Sequence, residues 1–546
     1  MQFNKSKEED CYVCKFSFDA VIFDLDGVIT QTAEIHSQAW KIMFDDFLLN
    51  IAKGKKESFK PFDLKEDYLN YVDGKPRYKG VESFLKSRGI TLPFGKPEDP
   101  PPKNTICGLG NRKNVLFKKL LKCTEVKVFV TTIDFIKELK SKGIKIGVAS
   151  SSESCKKILV KTGLFKLFDV FIDGLVSKKL NLKGKPEPDI FLTACDKLGV
   201  NRKRCVIVED AVSGIQAGMK GGFGLVLGID RQKKEKYLKA NGADLVVKDL
   251  GELNFYSIEQ CFKEKQETER WSIYYNDYSQ EKESVRESLC TVGNGYFGTR
   301  GAIEESKANG INYPGTYIAG VYNRLKTKIE GRLIENEDMV NCPNWLPLTF
   351  KIGKGEWIDL NRVGIISFER RLNLKKGILF RRVIIKDNIN RETSIEFSRI
   401  ASMANPHIGA IKYTITPLNY SDNITIKSEL DGNTINSGVK RYRALSSKHY
   451  DLVKQGREKD ISFILVRTNQ SQIDIALAAK LIISIDNKEI KPDITIGESI
   501  GAVFTHFSIL ASEAKAISID KIIAIYTSKD IDIKNSLIGK SINCIK

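Results

Sequence analysis

Four short apolar runs punctuate the first half of the chain, each closed by Gly or a polar residue: AVIFDLD (20–26), KIGVAS (145–150), CVIVED (205–210) and GLVLGI (224–229). Runs rich in Val and Ile, with no polar alternation, fit strands buried on both faces of a parallel sheet. Between them lie stretches with helical spacing, such as TTIDFIKELKSKG (131–143), which closes on Gly. Strand and helix in alternation predict a doubly wound α/β sheet with helices on both faces. The first crossover is too long for a simple one. Residues 32 to about 128 hold the amphipathic stretches SQAWKIMFDDFLLNI and VLFKKLLK and the Pro-rich LPFGKPEDPPPKN, and read as an inserted helical cap. Residues 233–268 close this domain and lead out through a charged segment. From Trp271 the period changes: LFRRVIIKD, TSIEFSRI, AIKYTITPL, ITIKSELDG, ISFILVRT, GAVFTHFSI and KIIAIYTS alternate apolar and polar positions between Asn, Gly, Asp and Ser turns. That pattern predicts an all-β sandwich, so the fold class is α/β followed by all-β.

Composition narrows the functional classes. A chain of 546 residues, 42% hydrophobic and 28% charged, reads as folded and globular with more than one core. Its formal net charge of +19 comes from Lys scattered over both halves, with no basic block interleaved with aromatics. Such a surface draws anionic substrates without reading nucleic acid, and no nucleic-acid partner is expected. Cys11 and Cys14 form a lone C-x-x-C among eleven cysteines, without the second pair a zinc site needs, so reduced thiols are expected. The N-terminal MQFNKSKEEDCYVCK lacks a signal-peptide apolar core, and no apolar run reaches the ~18 residues of a membrane span. A cytoplasmic protein with no membrane partner is the expectation.

The chemistry concentrates at the ends of the apolar runs. Asp24 and Asp26 stand one residue apart where the first run ends, in a D-L-D-G turn. Two carboxylates so close repel each other unless a cation lies between them. At the C-terminal end of a strand in an open α/β sheet they would face the ligand crevice. Mg²⁺ takes hard oxygen ligands together with substrate phosphate oxygens. One carboxylate could then attack phosphorus and the other shuttle the proton of the leaving or attacking hydroxyl. Three further segments suit that chemistry. GVASSS offers the Ser150 and Ser151 hydroxyls and backbone N–H groups to a phosphate. KGKPEPD supplies Lys185 against the charge of a transferring phosphoryl group. CVIVED ends in Glu209 and Asp210, a second acidic pair for the metal.

Residues 18–230, and FDLDGVITQTAEIHSQAWK above all, resemble the β-phosphoglucomutase-like branch of the haloacid dehalogenase superfamily. The resemblance implies a Rossmann-like core with an inserted cap. It implies Asp24 as nucleophile and metal ligand, Asp26 as general acid/base and, through its backbone carbonyl, metal ligand, and Glu209 and Asp210 at Mg²⁺. Ser150, Ser151 and Lys185 would bind phosphate. His36 and Thr32 would belong to the cap hinge and orient the acid/base. The branch's G-x-S-R-x-x-S-L cap motif, whose Arg grips a distal phosphate, is not found. Lys75 or Arg77 in YLNYVDGKPRYKGVESFLKSRGI could take that anion-binding role, or lie on a surface turn. Where the branch offers Lys and Asn to the distal phosphate, this chain has Glu153 and Ser154.

The second half, from YYNDYSQEKESVRESLCTVGNGYFGTRG (274–301) through YPGTYIAGVYNR and ENEDMVNCPNWLPLTF, resembles the N-terminal β-sandwich of glycoside hydrolase family 65, the disaccharide phosphorylases. In that family a helical barrel following the sandwich carries the catalytic acid. No barrel is expected here, so glycosidic catalysis is not expected from this chain alone. A separate chain carrying the phosphorylase barrel would be one partner. Tyr296, Tyr317 and Trp345 suit the core or barrel docking better than sugar stacking. The organisation expected is an extension (1–17), a haloacid dehalogenase-like domain (18–232, cap about 32–128), a domain end and linker (233–268), a family 65 sandwich (269–535) and a tail (536–546). The expected activity is Mg²⁺-dependent interconversion of β-glucose 1-phosphate and glucose 6-phosphate through an aspartyl-phosphate, with glucose 1,6-bisphosphate as activator. The alternative is a sugar-phosphate phosphatase on the same scaffold, the sandwich serving as a non-catalytic docking or carbohydrate-binding module. Phosphorylases of this family release β-glucose 1-phosphate, which gives the pairing a metabolic logic.

Overall fold

The computed structural model describes residues 16–55, 59–64, 66–73, 75–231, 235–437, 445–530 and 536–546. The Cys11/Cys14 pair lies outside them, and the described cysteines are free thiols. Two compact units divide the chain, Met1–Glu267 and Thr268–Lys546. Among the described residues no helix is long and apolar enough to cross a membrane.

The first unit is built on a six-stranded sheet: β1 (Ala20–Phe23), β2 (Lys145–Ala149), β3 (Val170–Ile172), β4 (Cys205–Glu209), β5 (Leu225–Ile229) and β6 (Leu245–Val247). They lie in the order β3-β2-β1-β4-β5-β6, all neighbours parallel. The apolar runs fill β1, β2, β4 and β5 as expected, and β1, β4 and β5 are buried along their whole length. Both faces are covered, since Val21, Phe23, Val206 and Val208 pack into one apolar cluster while Ala20, Ile22, Cys205 and Ile207 pack into another. β1 and β4 pair side by side at the centre of the sheet, so their C-terminal ends deliver Asp24, Asp26, Glu209 and Asp210 to one place.

The inserted cap is helical, with Ala33–Lys55, Arg77–Ser87 and Ile106–Cys123 as its main elements and a π-helical turn at Tyr68–Val72. It has its own core, in which Trp40, Phe44, Phe62, Phe84 and Leu109 pack together. Two chain crossings join it to the sheet, and they are tied to each other: Gln31 N–H donates to Lys127 O (2.9 Å) and Phe129 N–H to Ile29 O (3.0 Å). This paired crossing is the natural hinge.

The second unit is an antiparallel sandwich. Its smaller sheet has the order Leu348–Ile352, Asp422–Asp431, Ala502–Ala511, Thr495–Ser499. The ten-stranded sheet includes, side by side, Asp474–Ile485, Ile517–Thr527, Ile408–Pro417, Glu392–Ala401, Ile378–Lys386 and Gly364–Asn373. Alternation fixes which side chains enter the core: Phe350, Ile426 and Phe507 from one sheet meet Ile411, Tyr413, Ile519 and Ile523 from the other. Two of the aromatics expected in the core or at a docking face, Trp345 and Tyr296, are interior or internally bonded. Trp345 is fully buried and donates from Nε1 to Thr299 Oγ1 (3.1 Å), and the Tyr296 hydroxyl donates to Asp530 (2.7 Å).

Candidate active site

A cavity of about 1130 Å³ opens between the cap and the C-terminal ends of the parallel strands. Asp24, just beyond β1, is buried on its floor. Its Oδ1 accepts from Lys185 Nζ at 2.5 Å and its Oδ2 from the Asp26 backbone N–H at 2.8 Å. Lys185, itself buried, also donates to Glu209 Oε1. Burial opposes charging Lys185, but Asp24 and Glu209 more than offset it and hold the ammonium above its usual range. Burial pushes Glu209 up to about 7, with Lys185 pulling down and Asp24 adding to the rise.

Asp210 lies beside the D-L-D-G turn. Gly27 has φ +86°, and a Cβ there would come within 1.7 Å of Asp210 Oδ2, so the turn requires glycine twice over. Burial, then the charges of Asp73, Glu209 and Asp24, push the Asp210 carboxyl well above its usual range. The floor of the cavity therefore holds more carboxylate than Lys185 neutralises. Among the described residues no three such side chains close into a metal shell by themselves. Mg²⁺ keeps water and binds through one or two carboxylates plus substrate phosphate oxygens rather than an all-protein cage. The hard oxygen donors and the uncompensated charge fit that ion.

Asp26 faces the hinge. Thr32 Oγ1 donates to its Oδ1, Ser150 Oγ lies 3.5 Å from its Oδ2, and His36 Nε2 is 3.6 Å from Oδ1. Burial and then the Asp24 charge push Asp26 up to about 6, a useful position for exchanging protons near neutrality. His36 stacks on Phe117 at 3.9 Å, and its Nδ1 lies 2.6 Å from Lys113 Nζ. With Lys113 donating, the imidazole keeps its proton on Nε2, towards Asp26. Burial, and then Lys113, lower the His36 pKa well below its usual value, which keeps the ring neutral.

Asp24, Asp26, His36, Ser150, Lys185 and Asp210 all line the one cavity, as do Ser151, Glu209, Lys75 and Arg77. Thr32 is buried behind Asp26. Arg77 opens the cap helix Arg77–Ser87 and reaches the core, where its two terminal nitrogens each lie 3.2 Å from a different oxygen of Glu153. Lys75 donates to Ser83 Oγ (3.0 Å). Lys113, Tyr68 and Asp73 line the same cavity without a role assigned from any of the sequence motifs. Lys113 is buried on the helix Ile106–Cys123. Tyr68 is hydrogen-bonded to Asp73, and burial and the charges of Asp73, Asp26 and Asp210 raise its pKa well. The Lys113 signal was in the sequence: Ile106, Leu109, Lys113 and Phe117 recur at helical spacing on the buried stripe, so an amine occupies a core position, where burial pushes its pKa down to about 7.

A family model for haloacid dehalogenase-like hydrolases matches residues 18–222, and one for the N-terminal domain of glycosyl hydrolase family 65 matches residues 273–542. A β-phosphoglucomutase of Mycobacterium bovis is 44% identical over 237 residues, 43% of this chain and 90% of that protein. The first unit is a haloacid dehalogenase-like hydrolase of the β-phosphoglucomutase-like branch. The second unit is a family 65 N-terminal domain, and a kojibiose phosphorylase of Caldanaerobacter subterraneus is 32% identical over 272 residues, 48% of this chain and 33% of that one. An uncharacterized glycosyl hydrolase of Mycobacterium tuberculosis matches across both units, at 23% identity over 778 residues and 94% of this chain. The chain spans 58% of that relative's length. A separate chain carrying a barrel finds no support in these relatives.

Proposed function

We propose that the haloacid dehalogenase-like unit transfers a phosphoryl group through an aspartyl-phosphate on Asp24, interconverting β-glucose 1-phosphate and glucose 6-phosphate with Mg²⁺. The observation that carries this is the buried Asp24–Lys185 pair beside an Asp26 that Thr32 and His36 flank. The 44% identity to a β-phosphoglucomutase over 90% of its length supports the sugar phosphate. Resemblance of the second unit to disaccharide phosphorylases fits that substrate, since those enzymes release β-glucose 1-phosphate; here the sandwich is a non-catalytic docking or carbohydrate-binding module.

In this reading an Asp24 carboxylate oxygen bonds to phosphorus as the bond from phosphorus to the sugar oxygen breaks. Asp26 gives its proton to that departing oxygen. In the return step Asp26 takes the proton of the accepting hydroxyl, and the phosphoryl group leaves Asp24 for it. Lys185 and the Ser150–Ser151 segment hold the phosphoryl oxygens. Thr32, His36 and Lys113 fix Asp26, and the cap excludes water. Asp24, the Asp26 carbonyl, Glu209 and Asp210 would hold Mg²⁺, whose positive charge would offset that of the transferring group.

The test combines the full chain, Mg²⁺, β-glucose 1-phosphate and a trace of glucose 1,6-bisphosphate, with glucose 6-phosphate and inorganic phosphate followed in parallel. Glucose 6-phosphate without phosphate release is the expected result, and chelation with EDTA abolishes it until Mg²⁺ is restored. Phosphate release alone would overturn the mutase in favour of a phosphatase. One observation favours that second reading: Arg77 is already engaged by Glu153. The hinge makes a separate prediction. Lys113→Met keeps the packing against Trp40 and Phe117, each about 4.9 Å from the ammonium, but removes the donor to His36. It lowers kcat by roughly 10- to 100-fold with KM little changed, because substrate contacts survive and only proton transfer is misaligned. An unaltered kcat would remove Lys113 from the site.

A further inference from the structure

Resting on the phosphoryl-transfer reading, we propose that Glu153 is a built-in anion that holds Arg77 and Lys178 in place of a second substrate phosphate, so that the site favours sugar monophosphates over bisphosphates.

The geometry is that of an occupied anion site. Arg77 presents a fork to Glu153, with Nη1 3.2 Å from Oε2 and Nη2 3.2 Å from Oε1, and Lys178 Nζ lies 2.6 Å from Oε1. A planar fork on a carboxylate is the arrangement that guanidinium groups also make with phosphate. Arg77 stacks beside Tyr78 (5.0 Å), and Lys178 lies over the same ring (5.5 Å), so both cations are aimed by one aromatic. Arg77 Nε is buried without a hydrogen-bond partner, a spare donor turned into the protein at this spot. Burial of Glu153 opposes its ionisation, but Lys178 and Arg77 outweigh it and hold the carboxyl below its usual range. All three residues line the cavity that holds Asp24.

The connectivity gives the triad a second consequence. Arg77 belongs to the cap, Glu153 to the loop after β2, and Lys178 to the short helix Gly174–Lys179 of the core. The same ion triad therefore holds the cap down. Close packing supports the closure there, since a Cβ on Gly184 of the core would meet Pro76 of the cap at 1.9 Å. A monophosphate bound at Lys185 and Ser150 leaves the triad intact and finds the cap already closed. A bisphosphate must draw Arg77 and Lys178 away from Glu153 and then sit beside its negative charge, and like charges side by side in a partly buried site are costly. For a mutase, a weak grip on the bisphosphate lets it leave and turn round. For a phosphatase, no grip on it is needed.

The test is calorimetric binding to the full chain in an Asp24→Asn background, where nothing turns over, with and without Glu153→Gln. Glucose 1,6-bisphosphate and glucose 6-phosphate are the ligands, with Mg²⁺ present. Glu153→Gln is expected to tighten the bisphosphate by about tenfold or more and to change the monophosphate by less than about threefold. Glu153→Ser, which cannot reach Arg77, gives the same ordering. Bisphosphate affinity unchanged or weakened in both variants, or both ligands tightened equally, overturns the proposal while leaving the phosphoryl-transfer reading standing. Absence of binding by either sugar phosphate to any of the proteins overturns both.

Discussion

Asp24→Asn abolishes product formation, glucose 6-phosphate and inorganic phosphate alike, with a loss of at least about 10³-fold. The reason lies in what the substitution keeps and removes. An Asn side chain retains a carbonyl oxygen where Asp24 Oδ1 accepts from Lys185 at 2.5 Å, so the buried ammonium keeps one neutral acceptor and its ion pair with Glu209. What is lost is the anionic nucleophile, because an amide oxygen does not form the acyl phosphate that both proposed reactions require. Asp26→Asn falls less far, by about 10²–10⁴-fold, since it removes proton transfer but not the covalent step. The measurement is single-turnover phosphate and sugar-phosphate analysis, alongside circular dichroism and thermal melting to establish that the variant is folded. A folded Asp24→Asn protein retaining more than about a tenth of the wild-type rate would sink the aspartyl-phosphate mechanism in either form.

The large effect expected at Asp24 follows from strand geometry that the sequence displays directly. Parallel strands buried on both faces are written as unbroken apolar runs, and β1, β2, β4 and β5 are each visible for that reason. β3 and β6 are three residues each, too short to generate a run or a period, and they emerge only through pairing with their neighbours. The floor of the candidate site was legible because its carboxylates sit where those runs end. Its roof was not. Lys113 reads as one more Lys in a Lys-rich helix until the buried stripe on which it falls is drawn. Glu153 reads as an obstacle to a phosphate until Arg77 and Lys178 are seen to hold it. The Lys113 stripe is local, whereas the hold on Glu153 depends on contacts between segments distant in the chain, which no local pattern records.

The sandwich carries the same lesson in a harsher form, and it yields the second large prediction. Arg370, Arg381 and Arg399 occupy alternating positions on neighbouring strands that face inward, beside Phe368, Leu379 and Phe397. They are buried because the helix Gln280–Leu289 and the segment 301–306 bring acidic side chains opposite them. Arg370 pairs with Glu283 at 2.6 Å, Arg381 with Glu305 at 2.6 Å and Glu304 at 3.3 Å, and Arg399 with Glu304. The Tyr413 hydroxyl donates to Glu305 at 2.6 Å. Arg399 does the most, for it also donates to the backbone carbonyls of Arg300 (2.6 Å) and Ala302 (2.7 Å), tying the loop to the sheet.

Arg399→Leu fills much of the volume but leaves two buried carbonyls without this donor and Glu304 with only its longer contact to Arg381. Burial already pushes Glu304 up despite the guanidiniums beside it, which marks how poorly the site tolerates an uncompensated charge. The expected cost is about 3–5 kcal/mol, the range for breaking a buried ion pair by removing one partner. In a unit of this size that lowers the transition assigned to Thr268–Lys546 by roughly 10 °C. Arg371→Leu, one residue beyond Arg370 on the outward side of its strand and 29% exposed, is the control and shifts stability by no more than about 0.5 kcal/mol. Scanning calorimetry separates the outcomes, since the haloacid dehalogenase-like unit has its own core. An Arg399→Leu transition within about a degree of wild type would mean that hydrophobic replacement offsets the lost network, as happens when whole buried ion clusters are exchanged for apolar side chains.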